Sequence, residues 1–232
     1  MSVVVVTGTS SGLGADIART LIEKGYTVVG VSRRDVKLGE GYSHFCYDFS
    51  DLAGIKQLGG DIVAEHGWPY ALVNSAAVGS DGVLPTMHNS EIERTITVNL
   101  TAPILFTKYL TRGMLDARAG RIVNVSSIVS STGYRGLSVY ASTKAGLEGF
   151  TRSLARDLGR RNITVNAIAP GFMDTEMTQS LGKDALATIT RRSPLGRLPD
   201  TSSVSAMVVH LLGEHGGDIT GTVVTIDAGN SA

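Results

Sequence analysis

Short runs of β-branched residues alternate along this chain with longer stretches in which apolar positions recur every three to four residues. Val3 to Val6 opens the series, followed by a helix that should begin at a glycine-rich turn, carry Leu13, Ile17, Leu21 and Ile22 inward, and end near Gly25. Further strands are expected at Thr27 to Val31, Phe45 to Tyr47, Tyr70 to Val73, Arg121 to Val125, Thr164 to Ile168 and Thr222 to Ile226. Helices are expected after Ser50 as an N-cap, over about Asn89 to Leu115, and from near Ser138. Strands separated by helical crossovers pair in parallel. The expectation is therefore one α/β domain over 1–232, a Rossmann-type doubly wound sheet of about seven parallel strands flanked by helices. The stretch 173–200 lacks a clear period and is expected to form a substrate lid.

Hydrophobic residues make up 42% of the chain and its 28 glycines are dispersed among apolar runs, a composition that buries a sizeable core. Basic and acidic side chains balance at 21 each, so no net field draws the molecule to nucleic acid or anionic lipid, and neither is expected as a partner. The opening apolar run is too short for a signal-peptide core and no window reaches about 18 apolar residues, so a soluble cytoplasmic protein is expected. Cys46 is the single cysteine, without a partner for a disulfide, and is expected to be a buried apolar residue. His44, His66, His88, His210 and His215 show no ligand spacing, and no metal is expected.

Directly after the first strand comes Thr7-Gly8-Thr9-Ser10-Ser11-Gly12-Leu13-Gly14. Backbone without β-carbons can approach a pyrophosphate, and a new helix aims free N–H groups and its positive dipole end at the anion. A glycine-rich turn alone often just closes a loop, but its place at the head of a βαβ unit favours dinucleotide binding through Gly8, Ser10, Ser11, Gly12, Leu13 and Gly14. At the end of the second strand, where an acid would hold ribose hydroxyls, stand Ser32, Arg33 and Arg34. An arginine pair forks onto a 2′-phosphate, so NADP(H) is the expected cofactor; the bland reading is a solvated basic turn.

Tyr140 and Lys144, four apart, share one helix face. A neighbouring cation lowers a phenol pKa toward the working range, which suits general acid/base chemistry. Such a pair also occurs on any solvated helix, but Ser127 follows the fifth strand at its carboxyl end, where ligands approach an open parallel sheet. Pro103 has no N–H to bond the Asn99 carbonyl, which is left free to hold a water; a simple proline kink is the plain alternative.

The glycine motif, Asn74-Ser75-Ala76-Ala77, Asn99, Ser127, Tyr140-x-x-x-Lys144 and Pro170-Gly171 resemble, in order and spacing, the short-chain dehydrogenase/reductase family. Across Gly120 to Thr178 the chain looks most like bacterial 3-oxoacyl-[acyl-carrier-protein] reductases. The resemblance implies that Tyr140 protonates a carbonyl oxygen held by Ser127, that Lys144 binds the nicotinamide ribose, and that Asn99 anchors a water. It further implies that Asp48 and Phe49 flank the adenine, that Asn74 and Ala76 line the cofactor beside Pro170 and Gly171, and that Met173 and Thr175 hold the carboxamide end. The family usually has glycine where this chain has Ala77, and its segment from Asp35 to Tyr42 is longer. The implied reaction is reduction of a ketone by NADPH, with 3-oxoacyl thioesters the leading substrates and steroid, sugar or xenobiotic ketones the alternative. Arg118 and Arg161 match positions that look like acyl-carrier-protein contacts, and the family implies a homotetramer packed through the helices from Asn89 and Ser138. A non-catalytic NADP(H)-binding sensor is the alternative of another class, disfavoured by the intact Ser127, Tyr140 and Lys144.

Overall fold

The computed structural model describes residues 2–79, 82–175, 178 and 182–232. Seven strands, β1 (Val3–Thr7), β2 (Thr27–Ser32), β3 (Tyr42–Cys46), β4 (Ala71–Asn74), β5 (Gly120–Val125), β6 (Ile163–Pro170) and β7 (Val223–Ile226), form one sheet in the order β3-β2-β1-β4-β5-β6-β7. Every pairing is parallel, and all the connections but that from β2 to β3 carry helices, as parallel crossovers usually do. Among the described residues the α-helices include α1 (Gly12–Glu23), α2 (Ile55–His66), α3 (Asn89–Ile96), α4 (Ala102–Ala117), α5 (Val129–Thr132), α6 (Ser138–Leu158), α7 (Lys183–Arg192) and α8 (Thr201–Leu212).

The two-residue period of the strands sorts the core into two layers. Val5, Val29, Leu72, Ile122 and Val165 face one way and pack with Ile55, Ile62, Phe106 and Leu110, from α2 and α4. Val4, Val6, Val28, Val73 and Val123 face the other and meet Ile17 and Leu21 of α1 and Val204, Val208 and Leu211 of α8. Both faces are covered, which is why these strands read as unbroken apolar runs. Strand order turns at β1, with β2 and β3 to one side and β4 onward to the other, and a crevice for ligands opens at the carboxyl ends there.

Several expectations change. Strand β3 begins at Tyr42, which pairs with Val28, and not at Phe45; as the edge strand it is covered on fewer sides, and its polar residues do not read as a buried run. Cys46 closes this strand and is exposed, not buried. Ser50 does not cap α2: the N-cap is Gly54, and the preceding turn is closed by Asp51, whose Oδ1 accepts from the N–H groups of Ala53 (3.0 Å) and Gly54 (3.2 Å). The long helix expected from Asn89 divides into α3, a π-helical turn over Thr97–Thr101, and α4, with Pro103 in the first turn of α4. The expected lid, 173–200, falls partly outside the described residues; within it lies α7.

Candidate active site

The glycine-rich turn is shaped by two contacts that exclude side chains. Gly8 has φ +81°, and a Cβ there would stand 2.9 Å from the Ala76 Cα; a Cβ on Gly14 would stand 2.3 Å from the Gly8 carbonyl oxygen. The start of α1 is thus pressed against the turn that follows β1. Thr7 joins this turn to the loop after β4, its Oγ1 accepting from the N–H groups of Ser75 (3.0 Å) and Ala76 (2.9 Å). Ala77, where the family usually has glycine, is not in the left-handed region, so its β-carbon is accommodated without backbone strain.

A cavity of about 700 Å³ runs along the carboxyl ends of the strands. One end is lined by Gly8, Ser10, Ser11, Gly12, Leu13 and Gly14, by Ser32, Arg33 and Arg34, and by Asp48 and Phe49. Arg34 reaches over the turn to Ser10 Oγ at 3.4 Å. The Ser50 backbone N–H holds the Asp48 carboxyl below its usual pKa, and the charges of Arg33 and Arg94 act the same way. Arg94, exposed on α3, is a cation at this end that no motif marked; it lies one turn before the π-helical segment.

The other end gathers Ala76, Ser127, Tyr140, Lys144, Pro170, Gly171, Met173 and Thr175. Ser127 follows β5, and its hydroxyl lies close enough to the Tyr140 phenol to favour the phenolate. Lys144 is buried, with Nζ donating to the Val125 carbonyl at 2.8 Å and lying 5.5 Å from the centre of the Tyr140 ring. Desolvation pushes the Tyr140 pKa up to about 12, with Ser127 pulling it back, and desolvation pushes Lys144 down to about 8. The expected lowering of the phenol by Lys144 is therefore not seen, because burial dominates and the ammonium is turned to a carbonyl.

Two expected residues face elsewhere. Asn74 does not line the cavity; its Nδ2 donates to Thr107 Oγ1 (3.0 Å) and Asn124 Oδ1 (2.8 Å) inside the core. Its neighbours Ser75, Ala76 and Ala77 supply the wall instead. Asn99 is also buried, and its side chain is fully engaged: Oδ1 accepts from the Val78 N–H (2.8 Å), and Nδ2 donates to the Val78 carbonyl (2.9 Å). It braces the loop after β4, and Asn99 itself lies in the π-helical turn.

Glu148 was not marked by any motif. It sits four residues beyond Lys144 and eight beyond Tyr140, on the same face of α6, and its Oε1 accepts from Ser126 (2.8 Å) and Ser130 (2.6 Å). These two serines bracket Ser127, and Ser130 also contacts the Ser127 carbonyl at 2.7 Å. Repeating the four-residue step from Lys144 would have found it.

A family model described as short chain dehydrogenase matches residues 2–186. The chain belongs to the short-chain dehydrogenase family. Members are oxidoreductases, and this chain is an enzyme of that class. It is 37% identical over 234 residues to the 3-oxoacyl-[acyl-carrier-protein] reductase FabG of Vibrio harveyi, covering 98% of this chain and 96% of the relative. The FabG of Escherichia coli (strain K12) is 35% identical over the same shares. Among solved structures, a protein of Beutenbergia cavernae assigned as an NAD(P)-dependent gluconate 5-dehydrogenase, with NADP bound at low occupancy, superposes with a TM-score of 0.93 at 28% identity, over 99% of this chain and 96% of that one. The aldohexose dehydrogenase of Thermoplasma acidophilum gives 0.92 at 29% identity, over 99% and 94%. Among the described residues no helix is long and apolar enough to cross a membrane.

Proposed function

We propose that this dehydrogenase reduces a ketone to a secondary alcohol with NADPH, and that its substrate is a 3-oxoacyl thioester. The observation that carries the reading is one cavity with a basic, glycine-floored end at Arg33 and Arg34 and, at the other end, Ser127, Tyr140 and Lys144 together in the lining. Gly8, Gly12 and Gly14 line the cavity where α1 begins, so the free N–H groups of a helix start fit a pyrophosphate, and the arginines fit a 2′-phosphate. Ser10, Ser11, Gly12 and Leu13 would hold the phosphates, Asp48 and Phe49 the adenine, and Ala76, Pro170, Gly171, Met173 and Thr175 the nicotinamide half. When bound, NADPH supplies the hydride that reduces the carbonyl carbon.

Ser127 donates a hydrogen bond to the substrate oxygen and Tyr140 gives that oxygen its proton. A phenol held near 12 is fully protonated at neutral pH, which is the form reduction requires. Lys144 leaves its carbonyl to hold the nicotinamide ribose, and the Asn99 carbonyl anchors the water that returns a proton. The wall beside this pair is apolar, with Val129, Leu137, Phe172 and Met173, and Lys144 is its only charged side chain among the described residues. That favours an acyl chain over a sugar acid, the substrate class named for one structural neighbour. Arg118 and Arg161 are exposed at the amino ends of β5 and β6, away from this chain's cavity, and an acyl carrier protein that they meet would serve the cavity of another chain.

The test follows NADPH absorbance with a 3-oxoacyl thioester, an aldonic ketone, a steroid ketone and an aromatic ketone. Fastest turnover on the thioester is expected; faster turnover of the sugar acid would overturn the substrate. Tyr140→Phe should bind NADPH normally and lose about 10²–10⁴-fold in turnover. A variant that still reduces the ketone at wild-type rate would remove Tyr140 from the mechanism.

A further inference from the structure

Beside the basic end of the cavity, but not lining it, three side chains of different chemistry converge: the Asp35 carboxylate, a ring nitrogen of His44 and the Cys46 thiol, with their ligand atoms all within 4.8 Å of one another. His44 and Cys46 are two apart on β3 and therefore project from the same face, and the pairing of Cys46 with Ser32 brings the segment after β2, with Asp35, to that face. The sequence hides this set because its members follow no short motif; only the β2–β3 register assembles it. We infer that Asp35, His44 and Cys46 bind a zinc-class divalent ion that fastens the segment after β2, including Arg33 and Arg34, to strand β3.

The donor set selects the metal. Thiolate, imidazole and carboxylate together are the ligands of zinc, cobalt and their neighbours, whereas magnesium and calcium take oxygen. Bonds of about 2.0–2.3 Å in a tetrahedral shell place ligand atoms roughly 3.3–3.8 Å apart, so the set closes on an ion by a movement of about 1 Å. Asp35 and Cys46 are exposed, so rotation of their side chains supplies that movement. The imidazole is already oriented. Its Nδ1 lies 2.7 Å from the Tyr42 hydroxyl, while Nε2 has only a 3.3 Å contact with Ser32 Oγ. Nε2 is the nitrogen for the metal, and Nδ1–H donating to Tyr42 is the outer hydrogen bond that fixes a ligating ring. Tyr42 is itself braced by Thr9 of the glycine-rich turn at 2.8 Å. Thiolate and carboxylate neutralise the double charge of the ion, and a water completes the fourth position.

Because Cys46 is the single cysteine of the chain, a thiolate-to-metal absorption reports this site alone. Cobalt(II) titrated into the purified enzyme should raise a near-ultraviolet thiolate band that saturates at one ion per chain and is displaced by zinc but not by magnesium. Cys46→Ser should abolish the band while the fold, measured by circular dichroism, stays intact. Asp35→Asn and His44→Ala should each weaken cobalt binding by about tenfold or more. No thiolate band in the wild-type enzyme overturns the site. A band that both Asp35→Asn and His44→Ala leave unchanged reduces it to a lone thiol and overturns it equally, and displacement by magnesium refutes the donor assignment.

Discussion

Lys144 stands where its own charge is disfavoured. It is buried, its ammonium has one carbonyl at 2.8 Å, and desolvation brings its pKa down to about 8 from 10.5. Between those two values the unfolded chain holds the proton and the folded chain does not, so this residue makes stability rise with pH across that window. Catalysis has the opposite sign, since the proposed contact with the ribose needs the cation. The value of kcat/KM for NADPH, which reports the cofactor-free enzyme, should be flat below about pH 8 and fall above it. A profile flat through pH 10 would show that the protonated lysine is not required. At the far end of the cavity Arg33 and Arg34 carry the cofactor choice. Charge-assisted bonds to a 2′-phosphate contribute about 1.5–3 kcal/mol, so replacing both arginines with alanine should cost NADPH roughly one to two decades in affinity and leave NADH little changed. An unaltered preference between the two dinucleotides, measured by fluorescence titration, would move the phosphate site elsewhere.

Helix α6 acts as a single ruler for the site. Tyr140, Lys144 and Glu148 lie at steps of four, and Glu148 fixes the Ser126 to Ser130 segment from which Ser127 points. Glu148→Leu should lower kcat on the order of tenfold to a hundredfold, as small misplacements of reacting groups do, while KM for NADPH holds and Glu148→Gln restores most of the rate. Equal losses in the leucine and glutamine variants would argue against the carboxylate as an acceptor that positions the serine loop. How far such elements were legible in the sequence depends on burial. Val3 to Val6 announces a strand covered on both faces, whereas Tyr42 to Cys46, on the edge, carries the mixed polarity of a loop. The π-helical turn keeps helical spacing and was invisible except through Pro103. Motif positions found Asn74 and Asn99, yet no spacing tells which way a side chain turns. Asn74 belongs to the core, and Asn99 spends its amide on the Val78 backbone.

For the whole molecule the open question is assembly, and the outer face of α6 argues for it. Ser142, Ala145, Gly149 and Ser153 are exposed along that face, small residues that let another helix come close, and a Cβ on Gly149 would meet nothing within 4 Å. On α3 the apolar Ile96 is 42% exposed, and Val83 and Leu84 just before α3 are more exposed still. From family membership and these faces we propose a homotetramer packed through α3, α4 and α6. Sedimentation at micromolar concentration should give the mass of four chains of 24.3 kDa. Gly149→Arg makes the test specific. Within one chain the new side chain has open space, and arginine is a better helix former than glycine, which lies about 0.8–1 kcal/mol below alanine, so the fold should persist by circular dichroism. Across a close helix pair the same side chain would clash and bring a charge against its own symmetry copy, because a two-fold interface repeats every change. The variant should therefore sediment as a smaller species with unchanged secondary structure. A wild-type monomer, or a Gly149→Arg protein that remains tetrameric, would show that this face of α6 is not where the chains meet.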